Sequence, residues 1–198
     1  MASIVFLRGV NVGGHKAFRP SLVVERLKSL EVASIGAAGT FVVRAEASPE
    51  EIRRAFARAL SFETTLMICS ARDLAALIES DPFAGAAKAD GAYVTVLERR
   101  PARLPRLPLD APEGRDWKVR VIAARGCFVT SLTRRMEGPL LYPNEVVEKR
   151  LGVAATTRGW PTFLKIREAL EKTTPVQRAT TRSSRKTASR PPRKRGRA

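Results

Sequence analysis

The hydrophobic pattern of the first 80 residues alternates between short apolar runs and helical stripes. The runs and stripes predict strands at 3–8, 32–35, 40–44 and 64–69, and helices at 20–30, after Ser48, and from Ser70 to Asp81-Pro82. The second helix has the most distinctive signal, because Ser48-Pro49-Glu50-Glu51 combines a capping box with proline at the first helical position. The order strand, helix, strand, strand, helix, strand predicts a ferredoxin-like βαββαβ arrangement.

Beyond residue 80 the pattern predicts a smaller α+β half. The predicted elements are a Gly/Ala-rich connector at 81–90, a strand at 93–97, a hairpin of 117–123 and 127–132 turning at Arg125-Gly126, and helices at 144–151 and 161–170. Residues 99–114 contain four prolines and predict an extended loop, because proline removes donors and disfavours helix in its neighbours. We expect an α+β fold with a ferredoxin-like subdomain at 1–80 and a second α+β subdomain at 81–172.

The apolar pattern ends at Thr173, and the charge pattern changes there. Of the formal net charge of +17, residues 173–198 supply nine cations and no acid, so the preceding 172 residues carry the remaining +8. Such a segment cannot bury enough surface to offset its ordering entropy, and we expect a disordered basic tail. A basic body and a basic tail both point to a polyanionic partner; the alternative for the body is that its cations simply lie on solvated faces.

The two cysteines, Cys69 and Cys127, lie in apolar runs and are interpreted as small core residues. Two cysteines do not form a disulfide framework, and their spacing fits no zinc pattern. We find no signal segment and no run long enough to span a membrane, so we expect a cytoplasmic location without membrane contact.

A glycine-rich loop, LRGVNVGGHK at 7–16, is the first candidate for chemistry. Backbone N–H groups and cations can meet an anion in such a loop, and the candidate anion-binding residues are Arg8, Gly9, Asn11, Gly13, Gly14 and Lys16. It is not a P-loop, because His15 intervenes before the lysine and Ala17 replaces the metal-binding hydroxyl. The alternative is a tight strand-to-helix turn whose glycines supply positive φ.

A second candidate lies in TTRGWPT at 156–162. Thr156, Thr157 and Arg158 precede the helix predicted at Pro161, where unpaired N–H groups and the positive helix end gather. An arginine there suits bidentate contact with phosphate or carboxylate. The alternative is an ordinary helix start in which Trp160 serves as a packing anchor.

Three segments, LRGVNVGG at 7–14, DPF at 81–83 and TTRGWPTFLKI at 156–166, resemble the bacterial domain-of-unknown-function-1697 family over about residues 1–170. The resemblance implies an α+β fold with ferredoxin-like character and no established activity. The chain departs from the family where the usual QSGN is replaced by Ala37–Thr40. It departs again at Gly159, which stands where an asparagine usually precedes the tryptophan.

The tail alternates cations with Ser, Thr and Pro, and its end resembles part of an AT-hook. It has no aromatic residue for base stacking, so we expect non-specific phosphate contact with DNA or RNA; the alternative is a solubilising tail without a partner. The candidate nucleic-acid-binding residues are Arg185, Lys186, Arg190, Arg193, Lys194, Arg195 and Arg197.

Three functions therefore compete. The first is a binding protein for phosphate or nucleic acid, with an anion site formed by Arg8, the loop and Arg158, and with the basic tail. The second is an enzyme for a small phosphorylated or carboxylated metabolite between the two halves, with the only histidine, His15, moving a proton. The third is an interaction module in which the glycines and Trp160 serve packing alone. We predict no cofactor and no metal, and the sequence defines neither the catalytic residues of such an enzyme nor the oligomeric state.

Overall fold

A four-stranded antiparallel sheet organises the first half of the chain. The computed structural model describes residues 1–10, 19–86 and 89–172. The first-half elements are β1 (Ser3–Leu7), α1 (Pro20–Arg26) with a 3-10 turn at Lys28–Leu30, β2 (Val32–Ser34), β3 (Thr40–Val43), α2 (Pro49–Ala59), β4 (Leu66–Ser70) and α3 (Ala71–Glu79). The sheet order β2-β3-β1-β4, with every pair antiparallel, is that of the ferredoxin-like βαββαβ fold and confirms the prediction.

Local chemistry explains where α2 begins. Ser48 Oγ accepts from the Glu51 N–H at 3.2 Å, and the Glu51 carboxylate accepts from the Ser48 N–H at 2.7 Å. The capping box thus satisfies two backbone donors that the helix itself leaves unpaired. Ile52 and Phe56 on the inner face of α2 are then fully buried against β1 and β3.

A second antiparallel sheet forms the rest of the fold, in the order β6-β7-β8-β5-β9. Its elements are β5 (Gly91–Leu97), β6 (Leu109–Ala111), β7 (Val119–Arg125), β8 (Phe128–Thr133), α4 (Pro143–Leu151), β9 (Ala155–Gly159) and α5 (Trp160–Glu171). The mixed α+β class is confirmed. Two strands were missing from the prediction: β6, inside the proline-rich segment, and β9, whose ATTRG sequence was interpreted as the approach to a helix. The turn of the β7–β8 hairpin lies at Gly126-Cys127, one residue later than predicted.

The two sheets share one core. Ile4 and Phe6 of β1 point toward the second sheet, where they join Val94, Phe128 and Phe163 in a single buried cluster. The Phe163 ring lies 5.7 Å from Phe6 and 6.2 Å from Phe128 between centroids. Alternate residues of β1 pack on the opposite face against α1 and α2. Because β1 is buried on both faces, it reads as an uninterrupted apolar run rather than an alternating one.

The cysteines belong to this packing. Cys69 on β4 is buried, Cys127 at the β7–β8 turn is half-buried, and both are free thiols. A hydrogen bond between the two thiols, together with burial, raises the pKa of Cys69. The prediction that Cys69 is a core residue is confirmed.

Several predictions fall outside the described residues. The prediction of a disordered tail at 173–198 and the predictions for loop residues 11–18 both do. Within the described ranges, no helix combines the length and apolar character needed to cross a membrane.

Candidate functional site

Arg158 on β9 lies at the contact between the two sheets. Its Nε donates to Thr40 Oγ1 at 3.1 Å. Its Nη1 donates at 2.8 Å to both Thr156 Oγ1 and the Thr157 carbonyl, and its Nη2 donates at 2.9 Å to the Leu7 carbonyl. The fifth donor makes a short hydrogen bond to the Ala38 carbonyl.

These contacts use every donor of the guanidinium. A guanidinium has five N–H groups, and here all five meet neutral acceptors from β1, β3, β9 and the turn before β3. Burial lowers the pKa of Arg158 to about 10, which still leaves the group protonated at neutral pH. A phosphate could bind Arg158 only by displacing one of these acceptors, so the geometry favours a role in joining the sheets.

Arg8, directly after β1, has a carboxylate partner. Its Nε and Nη2 form a bidentate pair with Glu148 of α4 at 2.9 and 3.0 Å. The same carboxylate accepts from the Ala155 N–H at 2.7 Å, which ties the start of β9 to the pair. Burial alone would raise the pKa of Glu148, but the hydrogen bonds from Arg8 and Ala155 outweigh it and the net shift is downward.

The LRG segment and the TTR segment are therefore in contact, and hydrogen bonds join them. We call this set of contacts, Arg158 with its five acceptors and Arg8 with Glu148, the sheet junction. A surface cavity of about 810 Å³ is lined by Arg8 and a separate one of about 390 Å³ by Thr157. Among the described residues, neither cavity is lined by both Arg8 and Arg158. The enzyme hypothesis requires that the two motifs lie close together and border one pocket. The described residues meet the first requirement but not the second.

The glycines near the junction have backbone roles. Gly9 has φ of +63° and an added Cβ would meet nothing within 4 Å, so its backbone conformation explains the glycine. Gly39 has φ of +71°, and a Cβ there would lie 2.6 Å from Val10 Cγ2 and 2.9 Å from Leu7 Cβ. The Gly39 carbonyl accepts from the Leu7 N–H at 2.7 Å. The turn before β3 thus contacts β1 through its main chain.

Trp160 has the packing role that the sequence left as an alternative. Its ring lies 5.1 Å from Phe83 and 6.1 Å from Phe163 between centroids. The contact with Phe83 joins the DPF segment to the start of α5. Asn11, Gly13, Gly14, His15 and Lys16 lie outside the described residues, and anion binding by the whole predicted set stays a prediction.

Sequence reasoning missed one cationic segment. Residues 99–106, RRPARLPR, which we call the arginine loop, carry four arginines and no acid. Arg99, Arg100, Arg103 and Arg106 are all exposed, and no described carboxylate pairs with them. The charge pattern of the sequence contains this signal, because four arginines fall within eight residues without an acid.

A family model described as a protein of unknown function, DUF1697, matches residues 1–125. The chain belongs to this family. The DUF1697 match covers the whole first sheet and ends before β9, so Thr156, Thr157 and Arg158 lie outside it. No curated protein matches the chain.

A solved structure with the same fold is that of the conserved bacterial protein SP0830 from Streptococcus pneumoniae. It is 17% identical, with a TM-score of 0.57, and the match covers 85% of this chain and 98% of that one. At this identity the likeness shows the fold alone. Among residues 1–10, 19–86 and 89–172, no group of three or more His, Cys, Asp or Glu side chains is arranged to hold a metal ion.

Proposed function

We propose that this DUF1697 protein binds nucleic acid without sequence preference, through phosphate contacts made by the arginine loop and the basic tail. The observation that carries the proposal is that the arginine loop holds four exposed guanidinium groups, none of which forms an ion pair with a described carboxylate. When an unpaired cation contacts a phosphate, it releases counterions condensed on the nucleic acid, and this release favours binding. An arginine that is already paired with a carboxylate does not contribute in this way.

The backbone of the loop supports this proposal. Pro101 and Pro105 fix φ within the segment and limit its freedom, so less entropy is lost when its side chains engage a phosphate chain. The short strand β6 follows the loop, and β6 pairs with β7. The loop is thus held to the second sheet at its carboxyl end.

The tail contributes through the same chemistry. Its nine cations follow α5 with no acid among them, as in basic extensions that bind phosphate backbones. Deleting 173–198 removes none of the described elements, so the tail and the loop can be tested separately.

The test is duplex DNA binding by the full chain and by residues 1–172, each with and without Arg99, Arg100, Arg103 and Arg106 replaced by glutamine. A matched control replaces four exposed cations elsewhere, Lys28, Arg54, Arg58 and Lys149, with glutamine. We expect the loop variant to weaken binding in both backgrounds and the control to weaken it much less. Equal losses in the two variants would mean that only net charge matters, and the loop would not be a binding surface.

A further inference from the structure

A cavity of about 390 Å³ lies at the edge of the second sheet, away from the arginine loop. It is lined by residues of β5, β8 and β9, by Lys118, by the segment 134–142 and by the first turn of α4. Its volume is in the range of small-molecule sites. Thr157, the middle residue of the TTR sequence, lines it, whereas Thr156 and Arg158 on the opposite face of β9 take part in the sheet junction. The same motif thus contributes to the fold on one face and to a cavity on the other.

One side of the cavity is cationic. Lys118 Nζ donates to the Glu137 and Pro139 carbonyls at 2.7 and 2.9 Å, which fixes the surrounding loop and leaves one of its three N–H groups unused. Arg135 is held by its backbone N–H, which donates to Asp90 Oδ2 at 2.7 Å. Its exposed guanidinium has no hydrogen bond or ion pair with any described residue.

A third cation adds positive charge to the cavity, but its guanidinium is already engaged with an aromatic ring. The Arg134 guanidinium stacks on the Trp117 ring, with Cζ 3.8 Å from the ring centroid. The cavity lining therefore carries three cations, Lys118, Arg134 and Arg135, against the single carboxylate of Asp90. An excess of two positive charges matches a phosphate group, which carries close to two negative charges at neutral pH, better than a carboxylate with one.

The other side is apolar and aromatic, and it is exposed. Leu140 is 72% exposed, Tyr142 53% and Met136 41%, so this short segment holds half of the exposed large hydrophobic side chains in the described chain. Tyr93 forms the adjoining wall. A Cβ at Gly91 would lie 2.6 Å from its ring, so the ring occupies the space that a side chain at Gly91 would need.

The sheet beside the cavity holds an unpaired polar atom. Ser131 is fully buried, and its Oγ has no hydrogen-bond partner among the described residues. It pairs with Tyr93 across β5 and β8, and Thr133 follows on the same face of β8. Both Tyr93 and Thr133 line the cavity. Buried polar groups are rarely left unpaired, so this hydroxyl marks a place where the protein's own hydrogen bonding is incomplete.

We propose that this cavity binds a small organic phosphate that carries an aromatic ring. The phosphate group contacts Arg135 and the remaining N–H of Lys118, and the ring packs against Tyr142 and Leu140. This site is independent of the arginine loop and of the nucleic-acid binding proposed above, because it recognises one phosphate and one ring rather than a polymer backbone.

The test is calorimetric titration of the full chain at 150 mM salt with AMP and phenyl phosphate, and with adenosine, benzoate and inorganic phosphate as partial ligands. Arg135→Gln and Tyr142→Ala remove one contact each from exposed positions, and Arg115→Gln is the matched control, since Arg115 is exposed and outside the cavity. We expect Arg135→Gln to weaken AMP and phenyl phosphate binding by about tenfold, the size of one charge-assisted hydrogen bond. Tyr142→Ala should weaken both about fivefold or more, as loss of a stacked ring does.

The partial ligands are expected to bind more weakly than either aromatic phosphate. Binding of AMP no tighter than that of inorganic phosphate would overturn the proposal, as would equal losses in Arg135→Gln and Arg115→Gln. No detectable binding at millimolar concentration would also overturn it. None of these outcomes alters the expected behaviour of the arginine-loop variant on DNA, so the two proposals fail separately.

Discussion

The sheet junction and the arginine loop contain the same side chain in two opposite settings. At the junction, Arg158 is partly buried and gives all five donors to neutral acceptors, and Arg8 pairs with Glu148. In the loop, four arginines are exposed and unpaired with any described carboxylate. A cation near a glycine-rich turn or a helix start is therefore not by itself an anion site. Whether such a cation can bind an anion depends on whether its N–H donors already have acceptors within the protein.

Replacing Arg158 should have the largest effect on stability. Arg158→Met keeps the bulk of the side chain but removes the donor to the partly buried Thr157 carbonyl, one of the two donors to the Leu7 carbonyl, and the donor to the exposed Ala38 carbonyl. We expect a loss of about 3 kcal/mol or more in the free energy of unfolding, since each buried unpaired group costs about 1–3 kcal/mol. Urea denaturation measures it. Arg167→Met, on the exposed side of α5, is the control and should change stability by less than about 0.5 kcal/mol. Equal stability of the two variants would mean that Arg158 does not hold the sheets together.

The turn before β3 offers a pair of glycines at similar φ. Gly39→Ala combines positive-φ strain with a contact to Val10 and Leu7, whereas Gly36→Ala, at φ +67°, meets nothing within 4 Å. We expect Gly36→Ala to cost about 1 kcal/mol from strain alone and Gly39→Ala to cost about 2–3 kcal/mol. Thermal unfolding of both variants measures the difference. Similar melting temperatures would show that the turn does not press against β1.

The Arg8–Glu148 pair should contribute less, and its contribution should depend on pH. The pKa of Glu148 is lowered from its ordinary value of 4.5 in the folded state. The pair therefore stabilises the protein above about pH 4.5 and loses that effect as the pH falls through the lowered folded pKa. We expect Glu148→Gln to cost about 1 kcal/mol at neutral pH, because Arg8 is half exposed and solvent screens the pair.

Unfolding measured from pH 7 to pH 3 tests this sign. The difference between the native protein and Glu148→Gln should shrink toward acid pH. Some acid sensitivity should remain in the variant, because a hydrogen bond from Arg120 also lowers the pKa of Asp110. A difference that stays constant across this range would contradict the assignment of Glu148 as an ionised partner.

The arginine loop should have the smallest effect on stability. Replacing its four arginines with glutamine removes no described ion pair or side-chain hydrogen bond, so we expect a change within about 0.5 kcal/mol. Chemical denaturation of this variant beside Arg158→Met gives the comparison directly. A large destabilisation would mean that the loop arginines, like Arg158, stabilise the fold.

The first sheet could be predicted because its signals are local. The capping box at Ser48 and the uninterrupted apolar run of β1 each define an element without reference to distant residues. Strand β9 could not be predicted in this way, since ATTRG has few apolar residues and its strand state comes from pairing with β5 and from the bonds that Arg158 makes across the sheets. Strand β6 could not be predicted for a related reason. Its three residues follow several prolines and form a strand because they pair with β7. The resemblance identified the family correctly, but it did not show which arginine N–H groups lack an acceptor within the protein.

The most direct test of the account is the dependence of DNA affinity on salt, measured on residues 1–172 for the native sequence, the four-arginine loop variant and Arg8→Gln. Each phosphate contact on duplex DNA contributes about 0.9 to the slope of log K against log salt, so loss of the whole loop should make the slope shallower by roughly 3.6. Arg8→Gln should leave the slope unchanged, because that guanidinium is already paired with Glu148. An unchanged slope in the loop variant, or a shallower slope in Arg8→Gln, would contradict the account.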